Sequence, residues 1–508
     1  MTIPESRIWR RKLRGIIFVA PKGIQTRKRP IFPSPDLYKG HTSFNSNDDG
    51  QPFNETKPEK AVQPPQATSR ITNDWVITIN DKLDKVRKCE LSNPWLDNCI
   101  FKVPRNLSET HPKAFSPQVV SLGPYHRGDP SLKDMEKHKW RLLRHVLDRT
   151  GLHLEFFLQV MIELEDQTRR CYAKLSLADD ISSQEFIEMM MLDACFIVEL
   201  LRVCIYGIIY CGYSWADPIL TSRSVLPCIQ RDMLLLENQL PFFVIERVFA
   251  LTSDPSDHKG VSVGELALQF FDSILPGCYH PDEASGCDDP PLHFLHYVRQ
   301  ALIPCSWKKP TFGCLPVKHE RHPQLPLHCV TMLRNAGVKF LKKNSDKFMD
   351  IEFNNGVLRM PPLIIHDSTK SILLNLMAFE QCYPHCSTHV TSYASFMDGL
   401  ISCTRDVQQL RYRGIVVHGL GSEEEVASLF NKLCREIAFD VNDSYLAGVS
   451  ADVNKYFDTK WHRWRASLRR DYFSNPWAIV SLFVAVLLIG LTTAQTFYSI
   501  FAYYFPPL

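Results

Sequence analysis

Apolar residues recur mainly at three- and four-residue spacing over residues 70–473, which predicts a largely helical body. Three helix starts carry a capping box: Ser131-x-x-Asp134, Ser182-x-x-Glu185 and Ser422-x-x-Glu425. In each, a hydroxyl and the acid three residues on satisfy amides that a first helical turn leaves unpaired. Behind the first box Leu132, Met135, Trp140, Leu142, Leu143, Val146 and Leu147 fall largely on one face, and Gly151 marks the stop. Residues 231–250 (RDMLLLENQLPFFVIERVFA) are apolar on most sides and are expected to cross the core, kinked or restarted at Pro241, with Glu237 and Asn238 in a satisfied polar network. Residues 203–213 are apolar but too short to span a bilayer, so they too are placed in the core. One segment has the period of a strand. Residues 347–353 alternate, Asn354-Asn355-Gly356 is a turn signal and residues 357–365 return, predicting a β-hairpin edged by Pro361 and Pro362. Residues 253–290 read as a surface insertion around a short helix at 263–274.

The longest apolar run is C-terminal. Residues 477–504 read WAIVSLFVAVLLIGLTTAQTFYSIFAYY, with Gln495 the one strongly polar residue, and no charge occurs over 472–508. About 20 apolar residues cross a hydrocarbon core, so a transmembrane helix is expected over 477–500. Its anchor residues are Trp477, Ala478, Ile479, Leu482, Val486, Leu488, Ile489, Leu491 and Phe497, and the bilayer is the first expected partner. Trp477 at one end, and Tyr498, Phe501, Tyr503, Tyr504 and Phe505 at the other, match interfacial aromatic belts. Upstream, Arg463, Arg465, Arg469 and Arg470 form a basic flank that the positive-inside bias assigns to the cytosol. The expected topology is a tail anchor with the bulk of the chain cytosolic, on the plasma membrane or another endomembrane. The luminal alternative draws on N-x-S/T sequons at Asn54, Asn106 and Asn442.

Composition adjusts this picture at two points. Lys+Arg 58 against Asp+Glu 55 leaves a net charge of +3, so nucleic acid is not an expected partner. The 16 cysteines are scattered, many in apolar runs, which suits reduced, buried thiols. Residues 1–68 begin with a basic stretch and continue Pro-, Asn- and Ser-rich without periodicity; they are expected to be disordered. That leader is expected to be a targeting segment, a nuclear localisation signal, a contact with anionic lipid, a plain solvated tail or a gene-model extension. A single domain is expected over 69–473.

Candidate chemistry is sparse. Gly260-Val261-Ser262-Val263-Gly264 has the spacing of a nucleophile elbow, but the polar residues before it supply no strand to feed the turn. Cys382, His385, Cys386 and His389 have metal-ligand chemistry in a spacing that matches no standard zinc framework. Gly419-Leu420-Gly421 is too little for a nucleotide loop. The stretch 461–472 sets Trp461, Trp464, Leu468 and Tyr472 among arginines, as a helix lying on an anionic leaflet or the last helix of the soluble domain would. No catalytic, cofactor-binding or metal-binding residue is assigned, and no cofactor or small-molecule ligand is expected.

Several ordered blocks give the chain a resemblance to the plant family known as domain of unknown function 247. They are IFKVPRNL (100–107), AFSPQVVSLGPYHRGDPSLKDMEKHKW (114–140), LDACFIVELLR (192–202), RDMLLLENQLPFFVIERVF (231–249), LRNAGVKF (333–340), LLNLMAFEQC (373–382) and the terminal YFSNPWAIVSLFVAVLLIGLTTAQTFYS (472–499). The resemblance covers about residues 72–500 and leaves the basic leader outside. It implies a plant protein with a C-terminal single span and no established enzymatic activity. Some grass members take part in pollen–stigma self-incompatibility, a role of those members that suggests recognition or signalling at a membrane. The leading expectation is a non-enzymatic, membrane-anchored interaction or signalling protein with an unidentified protein partner. An undiscovered hydrolase or transferase in the helical domain is the alternative.

Overall fold

In the computed structural model the described residues are 73–92, 98–173, 181–253, 261–276, 290–303, 327–345, 347–440, 444–459 and 476–504. The leader over 1–68, the stretch 461–472 with its flank of Arg463, Arg465, Arg469 and Arg470, and the sequons at Asn54 and Asn442 lie outside them. Contacts divide the chain into Met1–Val76 and Ile77–Leu508, and the helical body and its strands belong to the second unit.

The protein is mostly helical, as its periodicity predicts. At its centre is the helix Ser183–Tyr206, buried almost continuously from Phe186 to Val203. A helix apolar on all sides must be surrounded. Here Lys133–Thr150, Leu154–Cys171, Phe242–Thr252 and Val263–Phe271 pack around it. A second group gathers on Thr369–Cys382, which meets Pro112–Phe115, Phe294–Leu302, His389–Leu400 and Glu423–Leu433. Both groups share one contiguous apolar cluster running in sequence from Cys99 to Val453.

The strands are short. β1 (Lys339–Lys342), β2 (Glu352–Asn354) and β3 (Val357–Met360) form a sheet in the order β1-β3-β2, and β4 (Leu363–Ile365) pairs in parallel with β5 (Val416–His418). The predicted hairpin is present as β2 and β3, antiparallel with Asn354 opposite Val357. Its first strand is shorter than the alternation suggested, because Phe348 and Met349 turn into the core instead. At the turn Asn355 and Gly356 have φ of 50° and 77°, the left-handed pair that such hairpins need. A Cβ on Gly356 would lie 2.6 Å from the Tyr456 ring, so the turn must carry glycine for packing as well.

Local expectations fare unevenly. Ser182 and Ser422 accept hydrogen bonds from the amides of Glu185 and Glu425, each at 3.3 Å. Ser131 does not cap its helix: it sits inside a 3-10 turn, Pro130–Leu132, whose cap is Asp129. Gly151 ends that helix at φ 67°, its amide bonded to the Leu147 carbonyl. The core-crossing segment is not one helix. Val225–Asp232 stops, residues 233–240 form buried turns, and Phe242–Thr252 restarts after Pro241. Residues 203–213 are not all core: the helix ends at Tyr206, and Ile209 and Tyr210 are 53% and 67% exposed.

Candidate functional site

The conspicuous blocks of the sequence meet one another in the interior. Residues 116–124 pass from the surface into the core, buried from Val120 onward, as neither helix nor strand, so their buried backbone groups need partners from side chains. Asp232, fully buried, accepts from the amides of Gln118, Val119 and Val120 at 2.9, 2.7 and 3.1 Å, and from Arg231 at 2.7 Å. Asn238 accepts from the Leu122 amide at 2.7 Å and donates to the Val120 and Asp232 carbonyls at 3.0 and 2.9 Å. Asp193 on the central helix accepts from the Gly123 amide at 2.8 Å and pairs with Lys139 at 2.6 Å. Lys139 also donates to the Ser121 carbonyl. Gly123 has no room for a side chain: a Cβ there would lie 2.8 Å from the Tyr172 hydroxyl. Residues 118–122 and the turns around 232–239 thus clasp each other, and on the other side of this clasp Asn375 accepts from the Leu236 amide at 2.8 Å, and Gln239 donates to the Met233 and Leu235 carbonyls at 2.7 Å.

These polar side chains therefore do the work of missing secondary structure. Removing any of them would leave buried amides or carbonyls unpaired, at about 1–3 kcal/mol per group. Burial pushes the carboxyls of Asp193 and Asp232 above the usual carboxylate range, against the pull of Lys139 on one and of three amides on the other.

At the rim of the clasp lies the arrangement closest to a reactive site. Glu237 accepts from the Val103 amide at 2.6 Å, and its other oxygen lies 3.4 Å from His126 Nε2, both side chains being 18% exposed. Lys102 stands over the Tyr125 ring at 5.4 Å. Burial raises the pKa of Glu237, while the Val103 amide and Lys102 oppose it, and burial lowers that of His126. Such a pair can hold or exchange a proton. Covalent chemistry would need a nucleophile as well, and the nearby Cys382 thiol is pushed up to about 11 by burial and by Glu237, which disfavours the thiolate. Sequence reading placed Glu237 in the core network; it is Asn238 that lies there, while Glu237 faces the rim. Nothing in the sequence links Glu237 to His126, 111 positions earlier.

Other candidates resolve into structural roles. Ser262 caps the helix Val263–Phe271, accepting from the Glu265 amide at 3.2 Å. Gly264 admits the Tyr297 ring, which would lie 2.5 Å from a Cβ. The two residues are thus a cap and a packing notch on a helix, not an elbow. Cys386 donates to the Tyr383 carbonyl, His385 meets the Tyr383 ring edge-on at 5.3 Å, and His389 stacks on Tyr445 at 5.2 Å. Among the described residues no group of three or more His, Cys, Asp or Glu side chains is arranged to hold a metal ion.

The residues expected to serve as an anchor lie on the helix Pro476–Tyr504. Its segment Val480–Phe501, 22 residues, is long and apolar enough to cross a membrane and is not buried in the protein. At 1.5 Å per residue it extends about 33 Å, against about 30 Å for a hydrocarbon core. Trp477, Leu482, Val486, Leu488, Ile489, Leu491 and Phe497 are exposed; Ala478 and Ile479 belong to the same helix. The hydroxyls of Thr492, Thr493 and Thr496 donate to carbonyls four residues back at 2.9, 2.7 and 2.8 Å. Polar groups met in this way need nothing from the surroundings.

A plant family described only as a protein of unknown function, DUF247, matches residues 100–491. The chain is 30% identical to the UPF0481 protein At3g47200 of Arabidopsis thaliana, over 80% of this chain and 87% of that protein. It is 24% identical to the putative UPF0481 protein At3g02645 of the same plant, over 84% of this chain and 95% of that one. No solved structure matches.

Proposed function

Because the chain belongs to the plant family DUF247, whose molecular function is unknown, we propose a function from its own residues: a single-pass membrane protein whose helical domain binds a protein partner in recognition or signalling, without catalysing a reaction. The observation that carries the anchor is the uncharged, unburied helix at 480–501, whose three threonine hydroxyls are met internally. The basic flank of Arg463, Arg465, Arg469 and Arg470 supports an orientation with the preceding domain in the cytosol. Against catalysis stands the use of the family blocks: Asp193, Asp232, Asn238 and Gln239 are occupied in holding the interior backbone.

Deleting 476–508 is expected to release the protein from membranes, whereas release of the intact protein by carbonate wash would overturn the anchor. In sealed vesicles the domain before the span should be open to added protease; its protection would reverse the orientation. The Glu237–His126 pair favours the second reading, a hydrolase or transferase centred there. On the interaction reading Glu237→Gln leaves partner capture unchanged, and a hydrolytic activity that this variant abolishes would replace it.

A further inference from the structure

The outward face of the two small sheets carries cations that no carboxylate answers. On β1, Lys339, Leu341 and Lys342 are exposed while Phe340 turns inward, and on β5 Val417 is 50% exposed. Leu341 stands in register with Arg359 and Val417 with Ile364, on the side away from the buried Leu358, Met360, Leu363 and Ile365. The helix Thr404–Tyr412 ends beside them. Tyr412 is 85% exposed with the Arg413 guanidinium 5.8 Å from its ring, and a Cβ on the following Gly414 would lie 3.7 Å from Lys342 Cδ.

The acids nearby are already engaged. Asp350 and Glu352 pair with Lys343 at 2.8 and 3.1 Å, Glu352 also meets Arg359 at 3.7 Å, and Glu423 pairs with Arg411 at 2.6 Å. Among the described residues Lys339, Lys342 and Arg413 have no carboxylate within ion-pair distance, so the surplus charge is positive. The chain also leaves for its terminal helix from this place. The Lys339 amide donates to the Gly356 carbonyl at 2.8 Å, Gly356 packs against the Tyr456 ring, and Tyr456 lies near the end of the helix Ala447–Asp458. That helix sets Asp452 and Asp458 against Lys455, and the sequence beyond sets Asp471 against Lys460, Arg463, Arg465, Arg469 and Arg470. Residues 459–475, at about 3.4 Å each, reach about 60 Å at most before Pro476 begins the terminal helix.

We propose that Lys339, Leu341, Lys342, Tyr412 and Arg413 form a second, peripheral contact with an anionic membrane surface. The proposal rests on the membrane-anchored reading of the chain. Two observations select the occupant. Unpaired cations interleaved with exposed Leu341 and Tyr412 match anionic headgroups and the interface beneath them. The tether starts beside Lys339, so the anchor holds this face near the bilayer at high effective concentration, and a weak contact suffices. Docked in this way, the domain takes one orientation on the membrane and leaves its opposite side open to a partner.

The test uses the full chain in nanodiscs of phosphatidylcholine, with and without phosphatidylserine, and reads backbone hydrogen exchange by mass spectrometry in peptides covering 339–343 and 411–417. Exchange there should slow several-fold with phosphatidylserine and recover in added salt. A variant with Lys339→Gln, Lys342→Gln and Arg413→Gln should lose that protection at an unchanged urea midpoint, since all three side chains are exposed. Lys342→Gln alone should lose part of it, which keeps the proposal open to refutation if the triple variant unfolds. Equal exchange in the two lipids overturns the contact, while a chain that stays with the discs still supports the anchor. A chain that leaves the discs overturns the anchor and the contact with it. Protection that survives the three substitutions belongs to other residues, and protection that follows protein concentration instead of phosphatidylserine belongs to a second copy of the chain; each overturns the proposal.

Discussion

Two long apolar helices in this protein solve opposite problems. The helix Ser183–Tyr206 is wrapped by protein and yet carries Asp193, Glu199 and Arg202, all buried. Asp193 meets Lys139 at 2.6 Å, and Glu199 meets Arg149 at 3.1 Å and Arg202 at 3.7 Å. The helix Pro476–Tyr504 is exposed and carries no charge at all. A protein interior can place a counter-charge and an amide against each ionised group; hydrocarbon can place neither. Apolar length thus says little by itself, whereas the treatment of charge separates a core helix from one suited to a bilayer.

The comparison breaks most sharply at Asp193. Asp193→Ala leaves Lys139 without its buried carboxylate and the Gly123 amide without an acceptor, and is expected to destabilise the fold by about 3–5 kcal/mol in urea titrations. Adding Lys139→Met to that variant should recover part of the loss, since Lys139 would otherwise stay buried with only the half-buried Glu136 as its carboxylate partner. An Asp193→Ala protein as stable as the parent would show that the buried pair is not holding residues 121–123.

A charge added to the terminal helix is the converse test. Leu488→Arg, near the middle of 480–501, opposes membrane insertion by about 3 kcal/mol. The fraction retained after carbonate wash should fall, while the urea midpoint of the domain stays unchanged. Retention equal to the parent's would remove the hydrocarbon environment from the argument.

His293 adds a third way to bury a polar group, which is to keep it neutral. Its Nδ1 accepts from the His296 amide at 3.2 Å, so Nε2 carries the proton toward the Cys99 carbonyl at 3.1 Å. Burial lowers its pKa to about 3, with the Cys99 carbonyl opposing. The folded state thus binds fewer protons than the unfolded one: this contribution is complete above the ordinary value near 6.5 and is lost as pH falls from there toward 3. Between about pH 7 and pH 5 the loss amounts to about 2 kcal/mol. His293→Asn keeps an acceptor for the His296 amide, and its stability should fall less over that range; an equal fall would place the acid sensitivity in other groups.

What could be read in the sequence was whatever acts within a few residues. The period of the helices, the caps at Ser182 and Ser422, the stop at Gly151 and the Asn355-Gly356 turn depend on neighbours in the chain. The clasp was not legible, because Asp232 meets Val120 across 112 residues and Asn375 meets Ala114 across 261. Hydropathy also failed at residues 203–213, where an apolar run predicted burial and the fold turned Ile209 and Tyr210 outward. At the rim site, Glu237 was visible as a polar residue in an apolar run, while its meeting with His126 required the fold.

The smallest expected effect separates a true cap from its imitation. Ser182 and Ser131 stand in the same local pattern, yet only Ser182 accepts from the amide three residues on, at the start of the buried central helix. Ser182→Ala should therefore cost about 1 kcal/mol, read as a shift of the urea midpoint at constant slope. Ser131 has a different part: its amide and hydroxyl donate to Asp129 at 2.9 and 2.7 Å, so the carboxylate holds the turn. Ser131→Ala keeps the amide bond and should shift the midpoint less than Ser182→Ala, with Asp129→Ala shifting it more than Ser131→Ala does. Equal shifts at Ser131 and Ser182 would mean that the four-residue pattern, and not the observed cap, sets the stability of both starts.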